Sequence, residues 1–232
     1  MRPVFREENG KTLLYAGITR ASRIGNGSGG VNQQGSHRLG ALVRFLKSVD
    51  PSETTRRALK VRLMSKSYLL GALHDGFEAK HTYRIAQKYE SYVRDLAEMI
   101  HRLGYRAWVY KEGANRNVYI VEFSKSVLSG FEISSNQDKI DYIRGYFDAE
   151  GSVPLNGSRM YIYFCQKDRK DLEEVKAFLE ELGIICVKIH NPSQEKDSDY
   201  WRFFLSCKSY SDFAKKIGSR HPVKQNILKM VI

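Results

Sequence analysis

The chain has 232 residues, 42% of them hydrophobic, enough for one large domain or two small ones with a real core. Lys and Arg number 38 against 26 Asp and Glu, and the resulting net charge of +12 favours a polyanionic partner, nucleic acid ahead of a membrane surface. Cys165, Cys186 and Cys207 have no CxxC spacing and read as buried thiols in a reducing compartment rather than a zinc cage or disulfide frame. Without an apolar leader or a run of membrane-span length, the expectation is a soluble cytoplasmic protein with access to DNA and no membrane partner.

Residues 1–37 stand apart in composition. The stretch from Gly25 to Gly30 and the polar run Asn32 to Ser36 bury little surface, which predicts a flexible, basic and Gly-rich arm. Residues 38–65 predict a short helical extension. Leu39, Leu42, Val43 and Leu46 recur at helical spacing, and Asp50-Pro51-Ser52-Glu53 has the cap, the proline and the acid of a helix start. Two short helices suggest a helix-turn-helix, but the joining turn lacks the glycine expected there.

Two similar modules follow, over 66–135 and 136–232. Each opens on an apolar helix with a central glycine that ends in an acid followed by Gly: Tyr68 to Gly76, with Gly71, and Tyr142 to Gly151, with Gly145. In the first module a strand at 82–86 reaches Gln87-Lys88. A helix with Tyr92, Leu96, Met99, Ile100 and Leu103 on one face then stops at Gly104, and strands at 107–110 and 118–123 lead to Ser124-Lys125. The second repeats the order: a strand at 160–165 reaching Gln166-Lys167, and a helix carrying Leu172, Val175, Phe178, Leu179 and Leu182 that stops at Gly183. Strands at 185–189 and 200–205, Lys208 and a helix from about Tyr210 complete it. Gln87 to Gly104 and Gln166 to Gly183 both span 17 residues. A shared order of elements with matched spacing marks an internal duplication.

The fold class this implies is α+β: two pseudo-symmetric αββαββα-like repeats, their saddle-shaped antiparallel sheets flanking a central pair of motif helices. Gly71-Ala72 and Gly145 supply the small residues for close helix approach, with Leu69, Leu73, Ile143 and Phe147 packing around them. Twin helices side by side bring their terminal acids to one point, which is the geometry a metal-dependent phosphodiesterase needs. Asp75 and Glu150 are the candidate metal ligands. Mg²⁺ prefers hard oxygens and keeps several waters, so one carboxylate per repeat plus DNA phosphates suffices. An ordinary acid beside a terminal glycine is the alternative for each. Arg84, Lys88, Lys167 and Arg202 lie on or beside strands whose polar face suits a DNA duplex.

These residues resemble the LAGLIDADG homing endonucleases, in the single-chain, two-repeat form of archaeal intron-encoded enzymes. The resemblance covers 66–232. It implies a site-specific double-strand DNA endonuclease that uses Mg²⁺ and works as a monomer on a target that need not be palindromic. It also implies catalytic roles for Gln87 and Gln166, on water or phosphate, and for Lys125 and Lys208, around the scissile phosphates. The second motif fits, because Glu150 stands five residues after Gly145. The first departs: Asp75 stands four after Gly71, with Glu78 a substitute acid. A cleavage-deficient DNA- or RNA-binding protein, such as an intron maturase or a regulator, is the alternative, with intron RNA as its further partner. His74 beside the first acid reads as a base or ligand, or as a packed, hydrogen-bonded histidine.

Overall fold

The computed structural model describes residues 66–232 except 114, 157 and 158, together with two strands nearer the N-terminus. The first motif helix occupies 66–72 and tightens into a 3₁₀ turn, Leu73–Asp75. The second is Asn136–Glu150. Its start is fixed by a capping box: the Ser135 hydroxyl accepts from the Asp138 amide, and the Asp138 carboxylate accepts in return from the Ser135 amide at 3.0 Å. Asp138 also accepts from the Ser67 hydroxyl at 2.9 Å, which ties the start of one motif helix to its twin.

The two helices touch backbone to backbone. A Cβ on Gly71 would stand 2.1 Å from the Tyr142 carbonyl oxygen, and one on Gly145 would stand 2.0 Å from the Tyr68 carbonyl oxygen. The relation is reciprocal, as a pseudo-twofold axis between the repeats requires. The glycines that follow the acids act differently. Gly76 and Gly151 have extended backbone (φ −100° and −79°), and each is small because its own helix end leaves no room; a Cβ on Gly151 would lie 2.1 Å from the Phe147 ring.

Six strands form the larger sheet: β1 (Val4–Glu8), β2 (Lys11–Tyr15), β3 (Gly76–Glu78), β4 (Thr82–Gln87), β5 (Ala107–Lys111) and β6 (Tyr119–Ser124). All pairings are antiparallel, in the order β1-β2-β5-β6-β4-β3. The composition predicts a flexible arm over 1–37, whereas residues 4–8 and 11–15 form a hairpin on the β5 edge of this sheet. Short alternating strands need a paired edge rather than a large core of their own, and a glycine-rich neighbourhood hides that signal. The rest of the expected arm and the helices expected in 38–65 lie outside the described residues.

The second repeat has β7 (Gly151–Ser152), β8 (Leu155–Asn156), β9 (Arg159–Met160), β10 (Tyr163–Gln166) and β11 (Trp201–Phe204). Three of them make a sheet in the order β11-β10-β7, and β8 with β9 forms a separate ribbon. The strand expected at 185–189 is reduced to isolated bridges, Cys186 with Leu205 and His190 with Arg202. Its Ile185 and Val187 face outward and are exposed, so the apolar alternation there has no second layer to bury it.

One helix backs each sheet. Glu90–Arg102 buries Tyr92, Val93, Leu96, Ala97, Met99 and Ile100; Arg169–Glu181 buries Leu172, Val175 and Leu179. Both stop at a left-handed glycine, Gly104 at φ +87° and Gly183 at φ +81°, so the duplication extends to backbone conformation. Each repeat has its own apolar cluster, around Leu96 and Phe123 in the first and around Phe147 and Phe164 in the second. Burying each such side chain stabilises the fold by about 1.5–3 kcal/mol. The expectation of buried thiols holds for none of the three cysteines: Cys165 and Cys186 are half-buried and Cys207 is exposed. No helix among the described residues is long and apolar enough to cross a membrane.

After the helix Tyr210–Lys216 the chain crosses back to the first repeat. Arg220 Nη1 reaches Asp95 at 3.2 Å, and the His221 ring packs edge-on against Tyr89 and Tyr92 at centroid distances of 4.9 and 5.4 Å. This strap, which leads into the helix Pro222–Leu228, holds the two repeats together near the ends of the motif helices.

Candidate active site

Asp75 ends the first motif helix and Glu150 the second. Partial desolvation comes first in raising both carboxyl groups above their ordinary range, with Asp75 still exposed and Glu150 half-buried. For Glu150 the next cause is the Asp75 carboxylate itself, so the two acids are near enough to repel. The 3₁₀ turn at Leu73–Asp75 advances the chain faster per residue than an α-turn and presents Asp75 one position early.

Gln87 Nε2 donates to Asp75 Oδ2 at 3.1 Å from the end of β4, while Gln166, at the end of β10, accepts from the Lys167 amide at 2.7 Å through Oε1. The Gln87 bond favours the ionised form of Asp75 and partly offsets its desolvation. The two glutamines sit at equivalent strand ends.

The lysines at the strand ends occupy matching 3₁₀ turns, Lys125–Val127 after β6 and Cys207–Ser209 after β11. Their surroundings differ. Lys125 forms an ion pair with Glu78 and lies 5.6 Å from the Tyr83 ring centroid, so Glu78 partners a lysine instead of replacing Asp75. Lys208 is exposed. Arg84 lies 3.3 Å from Glu122 on the sheet face opposite the core, where Glu122 also accepts from Thr82 and Tyr110. Lys88 and Lys167 are exposed just beyond the glutamines. Arg202 lies among the Tyr163, Tyr200 and Phe204 rings at 5.1–5.9 Å.

Three further groups stand near the ends of the motif helices. His74 bonds Tyr142 at 2.8 Å through Nε2 and faces Asp171 at 3.4 Å through Nδ1. It joins the repeats and is the packed, hydrogen-bonded histidine of the two readings. Burial lowers its pKa. Asp148 is buried and accepts from the Tyr68 hydroxyl at 2.5 Å, from the Ser219 hydroxyl and from the Arg220 amide at 2.9 Å. Lys224 donates from Nζ to the carbonyl oxygens of Phe147 and Asp148, both at 2.8 Å. All three depend on contacts between residues more than 65 positions apart. Only the acid five residues after Gly145 carried a local signal.

Paired glycines at a helix crossing, one acid at each helix end and a sheet on either side define the two-repeat LAGLIDADG architecture. Residues 137–218 match the family model described as a LAGLIDADG-like domain, so the second repeat is a domain of that kind. The chain is 27% identical to the homing endonuclease I-ApeI of Aeropyrum pernix over 198 residues, 71% of this chain and 86% of that protein. The solved structure of I-DmoI in complex with DNA and Mn aligns with a TM-score of 0.53 at 21% identity, covering 69% of this chain and 99% of I-DmoI. Full-length DUF199/WhiA from Thermatoga maritima aligns at 0.56 with 15% identity, covering 73% of this chain and 60% of that one. At these identities the solved structures establish a shared fold.

Proposed function

We propose that this chain is a site-specific homing endonuclease that hydrolyses phosphodiester bonds in both strands of DNA with a divalent metal, Mg²⁺, and acts as a monomer. The observation that carries the reading is the backbone contact of twin helices of one chain at Gly71 and Gly145, each helix ending in an acid, Asp75 and Glu150. Among the described residues no group of three or more His, Cys, Asp or Glu side chains gathers to hold a metal ion. Two hard carboxylates without a nitrogen or sulfur donor suit a cation that takes its remaining ligands from water and phosphate, as Mg²⁺ does. When bound there, the cation supplies an activated water and neutralises charge on the leaving oxygen.

The chain's own residues do the rest. Asp75 and Glu150 hold the cation. Gln87 orients the Asp75 carboxylate by donating to it at 3.1 Å, and Gln166 stands at the equivalent strand end of the second repeat to act on water or phosphate. Lys125 and Lys208 stand at equivalent strand ends to stabilise charge on the two scissile phosphates. Arg84, Lys88, Lys167 and Arg202 bind the duplex, and the surplus of basic residues makes that binding strongly salt-dependent. Two unlike repeats read the two halves of an asymmetric target.

The test is selection of cleaved molecules from a randomised double-stranded DNA library with Mg²⁺ or with EDTA. One enriched sequence, cut in both strands only with metal, is the expected result. Glu150→Gln should bind that sequence and leave it intact. Binding without cleavage by the wild type would overturn the reading in favour of a regulator or maturase.

A further inference from the structure

Two carboxylates that end neighbouring helices repel each other and the negative ends of the helix dipoles. Lys224 brings a positive charge of the protein to this end of the helices. It projects from the C-terminal helix Pro222–Leu228 and caps the last turn of the second motif helix through the Phe147 and Asp148 carbonyls, two and three residues before Glu150. The side chain also lies over the Phe147 ring, with Nζ 5.3 Å from the centroid. Its charge acts on Asp75, Asp148 and Glu150, acids drawn from both repeats. The first repeat has no equivalent helix after its 3₁₀ turn, where residues 128–135 run as turn and loop into the second motif helix. One cation of the C-terminal strap therefore serves both halves of the site.

We propose that Lys224 is a built-in countercharge, a positioning residue that holds the Asp75 and Glu150 carboxylates at their meeting point before a divalent ion arrives. This rests on the reading of those acids as the metal-holding pair. Its physical basis is that an ammonium fixed by two carbonyl acceptors cannot move out to solvent, whereas it balances like charges that the fold forces together. Burial lowers the Lys224 pKa, and the three acids act against that shift, as expected for a cation matched to its surroundings.

The experiment is a double-mutant cycle read by thermal unfolding of the full chain in EDTA at neutral pH. Lys224→Met should lower Tm by about 5–10 °C. In that background Glu150→Gln should recover at least half of the loss, and Asp75→Asn should do the same from the other repeat, while either change alone moves the wild-type Tm little. Lys224→Gln, which keeps a donor for the carbonyls but no charge, should behave as the Met variant does in the cycle, and it carries the test if the Met variant does not fold. Equal shifts from Glu150→Gln in both backgrounds would overturn the proposal and reduce Lys224 to a helix cap. That result would leave the cleavage test untouched, because the cycle uses neither metal nor DNA.

Discussion

Gly145→Ala separates two physical effects of opposite sign. In an exposed helix interior the change stabilises by about 1 kcal/mol, because alanine loses less backbone entropy than glycine. Here the new Cβ would lie 2.0 Å from the Tyr68 carbonyl oxygen and 2.8 Å from the Ala72 nitrogen, both backbone atoms of the facing helix. A tolerable carbon–oxygen contact is about 3.3 Å, so the helices must part by about 1.3 Å. Both motif helices anchor an apolar cluster, and spreading them costs about 1–3 kcal/mol of overpacking strain. The net expectation is a loss of up to about 2 kcal/mol, a fall in Tm of up to about 8 °C for a domain of this size. The separation also moves Glu150 relative to Asp75, and a misplacement of about 1 Å costs roughly a hundredfold in rate. Urea or thermal unfolding gives the first number, and single-turnover cleavage of the selected target gives the second. A variant as stable as the wild type that cleaves at the wild-type rate would refute the backbone contact between the motif helices.

Glu78→Gln should release Lys125 at little cost in stability, under about 0.5 kcal/mol because Glu78 is largely exposed, and should raise DNA affinity several-fold at low salt in a filter-binding titration. Arg84→Ala should weaken binding and relax the target consensus at a single position, whereas Glu122→Gln should loosen Arg84 and blur the same position with a smaller loss of affinity; sequencing of selected targets reads both. His221 has its pKa lowered to about 4 by burial and by Lys224, from an ordinary 6.5, so its neutral form is the one the fold favours. Its contribution is complete above pH 6.5 and is lost as pH falls from 6.5 toward 4, up to about 3 kcal/mol. His221→Phe keeps the packing on Tyr89 and Tyr92 and should flatten that limb of the stability–pH profile; an unchanged limb would contradict a buried neutral His221.

The duplication, the glycine-centred helices, the buried faces of the two backing helices and the acid at 150 were all legible along the chain, because each is a local pattern. Helical spacing sets which side chains share a face, and the stop glycines Gly104 and Gly183 mark where the helices must end. The first motif was half legible. Asp75 stands in the wrong register for an α-helical end, and no local pattern signals that the helix tightens into a 3₁₀ turn there. The amino-terminal hairpin on the β5 edge was not legible, since five-residue strands gain their stability from a partner sheet and not from their own composition.

Local order along the chain determines which residues become helix, strand and terminal acid, because hydrogen-bond geometry and side-chain spacing act over a few positions. The tertiary structure alone decides the company those acids keep. Lys224 reaches the end of the second motif helix from 74 positions beyond Glu150, and Ser219 and Tyr68 close on Asp148 from opposite repeats. Charge balance around these acids depends on distance through space, and no spacing in the sequence encodes that distance.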